Sequence, residues 1–402
     1  MRILLVSKWI DGAIKGQFHH SGEWVETFDL ACTFADLGNE VAIVTPLIYP
    51  KHVKDFEKEF GKTLKRKKIK HIVAPILLSL GLNEGIFQLK MHFAILRAIR
   101  EFKPDVVQFM QLIPTFIRFF TKVPIFFYGI VLDFDYPKLK EDVNERLKAI
   151  GSRRNLVDLF INFIYFSLIK IFGFGNFSSL TRIGNVSLKH RKGYQKLKRI
   201  TTIKKNVYFV HKGVNLKKAR VSSLSNQTIL FTGSITYRKG VFDLLEAFSK
   251  IAPHFPKAKL LIAGSGPRRL VAKARSFIKR NRINATLLGS VSYSQKWRLY
   301  QKADVFCLPS YVDASPATIL EAMASGLPII TTYQTDPPLK NGRDAILVNA
   351  GDIDTLYTSI VKLLSNPIFA DKLGTSVRET AKLYSWEHQA KKLLRLYRIQ
   401  IN

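Results

Sequence analysis

Cysteine is scarce in this chain, and the scarcity excludes two architectures that small domains often use. The 402 residues include two cysteines, Cys32 and Cys307. Two cysteines cannot build a disulfide framework, a pattern that favours a reducing compartment. The Cys/His spacings typical of zinc ligands are missing as well, so the sequence predicts no structural metal site.

Long uncharged apolar runs are also lacking. The best candidate for a membrane span is 156–174, but Asp158 and Lys170 interrupt it and leave 11 uncharged residues between them. A spanning helix needs about 20 apolar residues. The opening run, 1–7, is too short for a signal peptide. The segment 156–174 is therefore predicted to be an aromatic helix that either lies in a membrane interface or packs in a core.

Acidic residues are too few to balance the basic ones. Lysine and arginine total 63 and aspartate and glutamate total 30, which gives a net charge of +33 at pH 7. This excess favours phosphate-rich partners, namely nucleic acid, an anionic membrane surface or phosphorylated substrates. The cations cluster at 58–70, 189–205 and 268–282. Each cluster taken alone is equally typical of a solvated surface, whereas the cluster 189–205 beside the aromatic segment 156–174 favours a membrane-facing N-terminal half.

Short apolar runs alternate with helical patterns along both halves of the chain, which predicts parallel sheets covered by helices. Strands are predicted at 3–7, 41–45, 105–109, 125–128, 228–232, 259–263, 286–288, 305–308 and 328–331. Helices are predicted at 22–37, 85–102, 241–251, 268–280, 294–302, 316–325, 352–365 and 386–399. Two doubly wound domains of this kind would bind ligands at the carboxyl ends of their strands, in a cleft between them.

The most informative segment is 308–328, which reads LPSYVDASPATILEAMASGLP. Ser315 and Pro316 predict a helix start, with a capping hydroxyl followed by proline at the first helical position. The N-terminus of such a helix suits an anion such as a diphosphate. Asp313 precedes the helix and Glu321 lies inside it. A carboxylate can accept two hydrogen bonds from a vicinal diol, as a ribose or hexose presents.

This segment resembles the signature of the family 4 retaining glycosyltransferases, also called glycosyl transferases group 1. The family has a glutamate, seven residues, a second glutamate and then Ala-Met-Ala-x-Gly-x-Pro; here Asp313 and Glu321 precede AMASGLP. Three further motifs of the family occur in the same order: GSITYRKG at 233–240, AGSGP at 263–267 and SWE at 385–387. The resemblance covers nearly the whole chain. It implies the GT-B fold, an α/β architecture of two doubly wound Rossmann-like domains that face each other across a cleft.

The resemblance also implies roles for individual residues. Glu321 would hold the nucleotide ribose, Asp313 would contact hydroxyls of the donor sugar, and Lys239, with Arg238, would neutralise the diphosphate. The remaining donor-binding positions supply backbone or small side chains: Gly22, Ser234, Gly264, Gly266, Ser315, Ala317 and Thr318.

This chain departs from the family at three single positions and in one short segment. Asp313 replaces a glutamate, and Ser234 replaces an arginine of the phosphate loop, for which Arg238 is a candidate replacement. Tyr128 stands where the family has a histidine that contacts the sugar. The segment 211–213 replaces Pro-Asn-Gly and is interpreted as linker. Four residues are candidates for contacts with the acceptor or the sugar: His19, His20, Asp133 and Asp135.

The sequence therefore predicts a retaining, metal-independent hexosyltransferase whose co-substrate is a nucleotide-diphosphate sugar, with no other cofactor. The expected acceptor is a glycan or a lipid-linked glycan, and the expected location is cytoplasmic, peripheral on the inner face of the cytoplasmic membrane. The predicted domains are an acceptor-side domain at 1–212, a linker at 213–227, a nucleotide-sugar domain at 228–385 and a helix at 386–402 that crosses back.

Two alternatives stay open. One is a nucleotide-sugar epimerase of the same fold. The other is a nucleic-acid-binding protein, which the absence of any known reader motif disfavours.

Overall fold

The computed structural model describes residues 1–7, 22–47, 53–77, 84–110, 117, 120–129, 185–188, 207–219, 227–313, 316–335 and 337–401. These residues form two units. The first contains the described residues up to 212 together with 386–401, and the second contains 213–385.

The described part of the first unit is built on a parallel sheet. Its strands in chain order are β1 (Arg2–Val6), β2 (Glu40–Leu47), β3 (Lys70–Leu77), β4 (Val106–Phe109), β5 (Ile125–Gly129), β6 (Asn185–Leu188) and β7 (Val207–Phe209). In space they run β3-β2-β1-β4-β5-β6-β7. The central strand β1 carries four buried apolar residues in succession (Ile3–Val6), as expected of a parallel strand covered on both faces. The predicted parallel sheet is confirmed.

Helices connect these strands. They are α1 (Gly22–Asp36), α2 (Val53–Phe56), α3 (Lys62–Arg66) and α4 (Glu84–Phe102), and a π-helical turn (Glu57–Gly61) joins α2 to α3. The basic cluster 58–70 lies on the turn, on α3 and at the start of β3. Phe56, Phe60 and Leu64 are buried beneath it, while Lys62, Lys65 and Arg66 are exposed. This cluster is therefore the polar face of an amphipathic segment.

The second unit contains the other parallel sheet. Its strands are β8 (Thr228–Thr232), β9 (Lys259–Ala263), β10 (Ala285–Gly289), β11 (Val305–Leu308), β12 (Ile329–Thr332) and β13 (Ile346–Val348). Their spatial order is β10-β9-β8-β11-β12-β13. The helices are α5 (Val241–Ile251), α6 (Arg268–Arg280), α7 (Tyr293–Lys302), α8 (Ala317–Ala324), α9 (Ile353–Ser365) and α10 (Pro367–Lys382). In both sheets the strand order reverses direction beside the first strand, as in doubly wound folds.

The final helix, α11 (Trp386–Ile401), belongs to the first unit and not to the second. The hydroxyl of its buried Tyr397 donates to Oε1 of Gln108 on β4 at 2.7 Å. The Tyr397 ring also packs edge-on against Phe126 of β5, with 4.7 Å between ring centroids. Burial raises the pKa of Tyr397 well above its ordinary value. The hydrogen bond and the ring contact fix this C-terminal helix to the sheet of the first unit.

Both cysteines are free and buried, Cys32 in the first unit and Cys307 in the second. Within the described ranges, no helix has the length and apolar character that a bilayer crossing requires. The aromatic segment 156–174 and the basic segment 189–205 lie outside the described residues.

Candidate functional site

The loop 233–240 connects β8 to α5 at the carboxyl edge of the second sheet. It ends in a 3-10 turn (Tyr237–Lys239) and in Gly240, which has φ of 67°. A Cβ built on Gly240 would lie 2.0 Å from the carbonyl oxygen of Pro309, in the segment after β11. The amide of Tyr311 in turn donates to the carbonyl of Arg238 at 2.8 Å. The positive φ and the close approach both require glycine at this position, and the loop is held against the end of β11.

The glycine-rich turn at 263–267 supports the same loop from the other side. Gly264 has φ of 151°, and a Cβ there would lie 1.8 Å from the carbonyl oxygen of Gly233. A Cβ on Gly266 would lie 2.3 Å from the carbonyl oxygen of Ile235. The structure thus explains these two glycines by backbone packing, and their contact with a nucleotide stays a prediction.

Lys239, Asp313 and Arg238 come together beside this loop. The ammonium of Lys239 bonds to Oδ2 of Asp313, and Nη1 of Arg238 lies 4.0 Å from Oδ1 of the same carboxylate. Arg238 also donates to the carbonyl of Val312 at 3.0 Å. The Lys239 and Asp313 side chains are 13% and 14% exposed, so their charges are largely removed from bulk water. The sequence predicted Lys239 and Arg238 as a pair of cations and Asp313 in a separate role; the structure joins all three into one charged group.

Glu321 lies on α8 and is the centre of a second group. Its Oε1 accepts from Nζ of Lys296 at 2.6 Å, and its Oε2 accepts from the hydroxyl of Tyr300 at 2.9 Å. The Tyr300 hydroxyl lies 2.8 Å from Oγ1 of Thr232. Because that hydroxyl has one proton, which goes to Glu321, Thr232 is the donor in this last bond. Burial, and then the negative charge of Glu321, raise the pKa of Tyr300 well above its ordinary value.

The two groups lie at the two ends of the loop. Thr232 is the last residue of β8, just before Gly233, and Lys239 is the last residue before Gly240. Glu321 is therefore linked to the start of the loop and Asp313 to its end. Ser234, between them, is half-buried. The structure thus places two charged groups, one at each end, around a loop whose residues are half-buried or buried.

The predicted start of α8 is wrong by one residue. Pro316 is the N-cap and not the first helical residue, because its ψ of 131° is extended. The helix begins at Ala317, and the amide of Ile319 already donates to the carbonyl of Pro316 at 3.1 Å. The amides of Ala317 and Thr318 belong to the first turn, where helix geometry provides no intrahelical carbonyl. The proposed cap, Ser315, lies outside the described residues.

In the first unit, Tyr128 is a core residue. It is fully buried, its hydroxyl donates to the carbonyl of His211, and burial raises its pKa well above the ordinary value. Its position at the end of β5 therefore supplies a link to the 211–213 segment and not an exposed polar group. Lys212 of that segment forms a buried ion pair with Glu26 of α1 at 3.0 Å. Gly22, a predicted donor-binding residue, is the first residue of α1.

The four acceptor-side candidates lie outside the described residues: His19, His20, Asp133 and Asp135. Among the residues that are described, no group of three or more His, Cys, Asp or Glu side chains could hold a metal ion.

Sequence reasoning missed Lys296, Tyr300 and Thr232. A signal for the first two exists in the sequence, because Ser292 and Gln295 form a capping box that fixes the phase of α7. With that phase set, Lys296 and Tyr300 are four residues apart and share a helix face. That this face meets Glu321 depends on the packing of α7 against α8, which no local pattern shows.

The fold and this site define the class of doubly wound α/β proteins, which bind ligands at the carboxyl ends of parallel strands. Residues 215–380 match the model of the family described as Glycosyl transferases group 1. This part of the chain is similar to that family, and the recognition made from the sequence is confirmed.

Two curated relatives show the extent of the similarity. An uncharacterized glycosyltransferase of Methanocaldococcus jannaschii is 29% identical over 189 residues, which cover 46% of this chain and 48% of the relative. A phosphatidyl-myo-inositol mannosyltransferase of Mycobacterium leprae is 31% identical over 177 residues, 42% of this chain and 46% of the relative. The chain thus spans about half the length of the curated relatives it matches.

The similarity to solved structures extends over the whole chain. Sucrose-phosphate synthase from Thermosynechococcus elongatus superposes with a TM-score of 0.70 and 18% identity, covering 99% of this chain and 98% of that one. At this identity the likeness concerns the fold, and it confirms the predicted GT-B fold.

Proposed function

We propose that this chain is a retaining glycosyltransferase that moves a hexose-type sugar from a nucleotide-diphosphate donor to a glycan or lipid-linked acceptor. One observation carries the proposal. Within the segment that matches the family, the loop 233–240 has Lys239 and Asp313 at one end and the Glu321 group at the other. A lysine ammonium at the end of a glycine-containing loop suits a diphosphate, and a buried carboxylate suits the vicinal diol of a ribose.

The proposed reaction requires stabilisation of charge on the leaving group. The bond between the anomeric carbon and the diphosphate oxygen breaks, the bond to the acceptor oxygen forms on the same face, and the acceptor proton passes to the leaving phosphate. Negative charge therefore grows on the diphosphate. Lys239, Arg238 and the N-terminus of α8 would supply the positive potential, and Asp313 would accept hydrogen bonds from the donor sugar. In this scheme the cations are side chains, so the proposed reaction uses no metal.

We assign the donor to the predicted domain 228–385 and the acceptor to the predicted domain 1–212. The donor assignment follows from the position of the two charged groups at the edge of the second sheet. The acceptor assignment follows from the sequence alone, since its candidate residues are the histidines at 19–20 and the aspartates at 133 and 135.

A thermal-shift screen tests the donor proposal. The panel contains UDP, GDP and ADP with their glucose, galactose, mannose and N-acetylglucosamine conjugates where these exist. A ligand at 100 times its Kd stabilises the folded state by about 2.7 kcal/mol. We expect the nucleotides of one base to raise the Tm of the protein. The sugar conjugate of that nucleotide is expected to be consumed only when an acceptor is added. Turnover of the sugar without an acceptor would indicate the epimerase, and stabilisation by DNA or RNA alone would indicate a nucleic-acid-binding protein.

The finer part of the proposal is an acceptor presented at an anionic membrane surface, on the cytoplasmic side. It is supported by the net charge of +33 and by the exposed cations of α3 in the first unit. The relative from Mycobacterium leprae, which is named a phosphatidyl-myo-inositol mannosyltransferase, adds to this support. Each basic residue near an anionic leaflet contributes about 1 kcal/mol of binding free energy.

Liposome sedimentation tests the membrane proposal. We expect binding to vesicles that contain anionic lipid, weaker binding as salt screens the charges, and a loss of binding when Lys196, Lys198 and Arg199 are changed to glutamate. The matched control replaces three exposed cations of α6, namely Arg275, Lys279 and Arg280, with glutamate, which changes the net charge equally. If the control variant loses less binding to anionic vesicles than the first variant does, the docking surface lies in the first half of the chain. Equal binding to neutral and anionic vesicles, or to neither, contradicts the proposal.

A further inference from the structure

The ion pair between Lys296 and Glu321 has no counterpart in the sequence motif that identified Glu321. The 2.6 Å contact joins Lys296 on α7 to Glu321 on α8, and their side chains are 16% and 7% exposed. A buried carboxylate is stable as an ion only when it is paired and hydrogen-bonded. Lys296 supplies the charge partner, and Tyr300 supplies a hydrogen bond to the other oxygen.

A capping box at the start of α7 helps to orient Lys296 and Tyr300, the two partners of Glu321 on this helix. The side chain of Ser292 accepts from the amide of Gln295 at 3.2 Å, and the side chain of Gln295 accepts from the amide of Ser292 at 2.8 Å. This capping box sets the phase of the helix. Tyr293, Trp297 and Tyr300 are buried along one side of α7. Lys296 extends from the same helix, so the packed rings restrict where its stem can lie.

The hydrogen-bond donors and acceptors of the Lys296–Glu321 pair match those of a vicinal diol. A carboxylate has about four acceptor positions and an ammonium has three donors. Glu321 uses one position on each oxygen for Lys296 and Tyr300, so each oxygen retains one. Each hydroxyl of a diol can donate one hydrogen bond and also accept one. The pair can therefore accept from both hydroxyls through Glu321 and donate to one of them through Lys296.

We propose that Lys296 is a positioning residue that holds the Glu321 carboxylate for recognition of the ribose diol of the nucleotide. This inference rests on the function proposed above for the same site. In this proposal Lys296, which lies outside the family motif, is required for discrimination between ribose and deoxyribose. Loss of Lys296 leaves Glu321 with Tyr300 alone, which frees one carboxylate oxygen to turn away from the diol.

The test measures Kd by calorimetry for a nucleoside diphosphate and for its 2′,3′-dideoxy counterpart, using whichever of UDP, GDP or ADP binds in the screen. The readout is the ratio of the two Kd values, because a variant that merely weakens the fold changes both constants alike. We expect the wild type to prefer the ribose form at least tenfold, since two hydrogen bonds to a charged group are lost with the diol. Lys296→Met is expected to bring the ratio within threefold of that of Glu321→Gln. Lys296→Arg keeps the charge and is expected to retain most of the preference.

Two comparisons show whether Lys296 acts through Glu321. The double variant Lys296→Met with Glu321→Gln is expected to discriminate no less than Glu321→Gln alone, because the two changes remove one function. Lys302→Met, which removes an exposed lysine of the same helix, is expected to leave the ratio unchanged. If Lys296→Met and Lys296→Arg both weaken the two nucleotides equally and keep the wild-type ratio, the positioning role is overturned while the proposed function stands. If no nucleoside diphosphate binds the wild type, the proposed function fails and this inference fails with it.

Discussion

Replacing Lys239 with alanine is expected to lower kcat by a factor on the order of 10²–10³, about 2.7–4 kcal/mol of transition-state stabilisation. Negative charge grows on the diphosphate as the glycosidic bond breaks, and Lys239 is the partly buried ammonium beside the loop 233–240. Its partner Asp313 makes the loss larger, because removal of Lys239 leaves that carboxylate, next to the proposed diphosphate site, with the more distant Arg238 at 4.0 Å in place of the lysine. Steady-state kinetics with a saturating donor measures the effect.

Two further variants separate the contributions within this group. Arg238→Ala is expected to cost less than Lys239→Ala, because Arg238 lies 4.0 Å from the Asp313 carboxylate and is already committed to the Val312 carbonyl. Asp313→Asn in the Lys239→Ala background is expected to recover part of kcat by removing the negative charge that has lost its lysine partner. A larger loss for Arg238→Ala than for Lys239→Ala would show that the two roles are assigned the wrong way round.

The fold was predicted from the sequence to the extent that local patterns determine it. The strands 228–232, 259–263 and 305–308 and the helices 241–251 and 268–280 agree with the structure residue for residue. In these segments an apolar run or a helical stripe is continuous and the flanking residues are turn formers. In contrast, β3 begins with Lys70 and His71, and β13 is three residues long. Both strands were missed because the polar start of β3 obscures its apolar residues and the three residues of β13 are too few to show a period.

The residues of the candidate site also fall into two groups, those that a local motif identifies and those that only packing brings to the site. Glu321, Asp313 and Lys239 belong to contiguous motifs and could be named from the sequence. Lys296 and Thr232 could not, because they reach the site through the packing of α7 on α8 and of β8 beside α7. Tyr128 shows the opposite case, in which a position in the chain suggests a role that the side chain does not have. Its position in the chain matches that of a ligand-contacting residue, yet its side chain is used to pack the core.

Replacing Glu321 with alanine is expected to reduce transfer at least tenfold and to weaken nucleotide binding. The carboxylate is the group proposed to accept both hydrogen bonds from the ribose diol, and hydrogen bonds to a charged group contribute about 1.5–3 kcal/mol each. The residue is 5% exposed, so the substitution also leaves the Lys296 ammonium without its carboxylate partner and removes an acceptor from the buried Tyr300 hydroxyl. Calorimetry with the nucleotide and a transfer assay measure the two losses.

The loss of binding must be distinguished from a loss of folding, because removal of one partner from a buried ion pair costs about 3–5 kcal/mol of stability. Glu321→Gln keeps the shape of the side chain and an oxygen for Tyr300, so it is expected to be more stable than Glu321→Ala while binding the nucleotide as weakly. Adding Lys296→Met to Glu321→Ala removes the unpaired ammonium and is expected to restore part of the thermal stability without restoring affinity. Recovery of affinity together with stability would mean that Glu321 supports the fold alone. Unchanged nucleotide affinity in Glu321→Ala would contradict its assignment to the ribose.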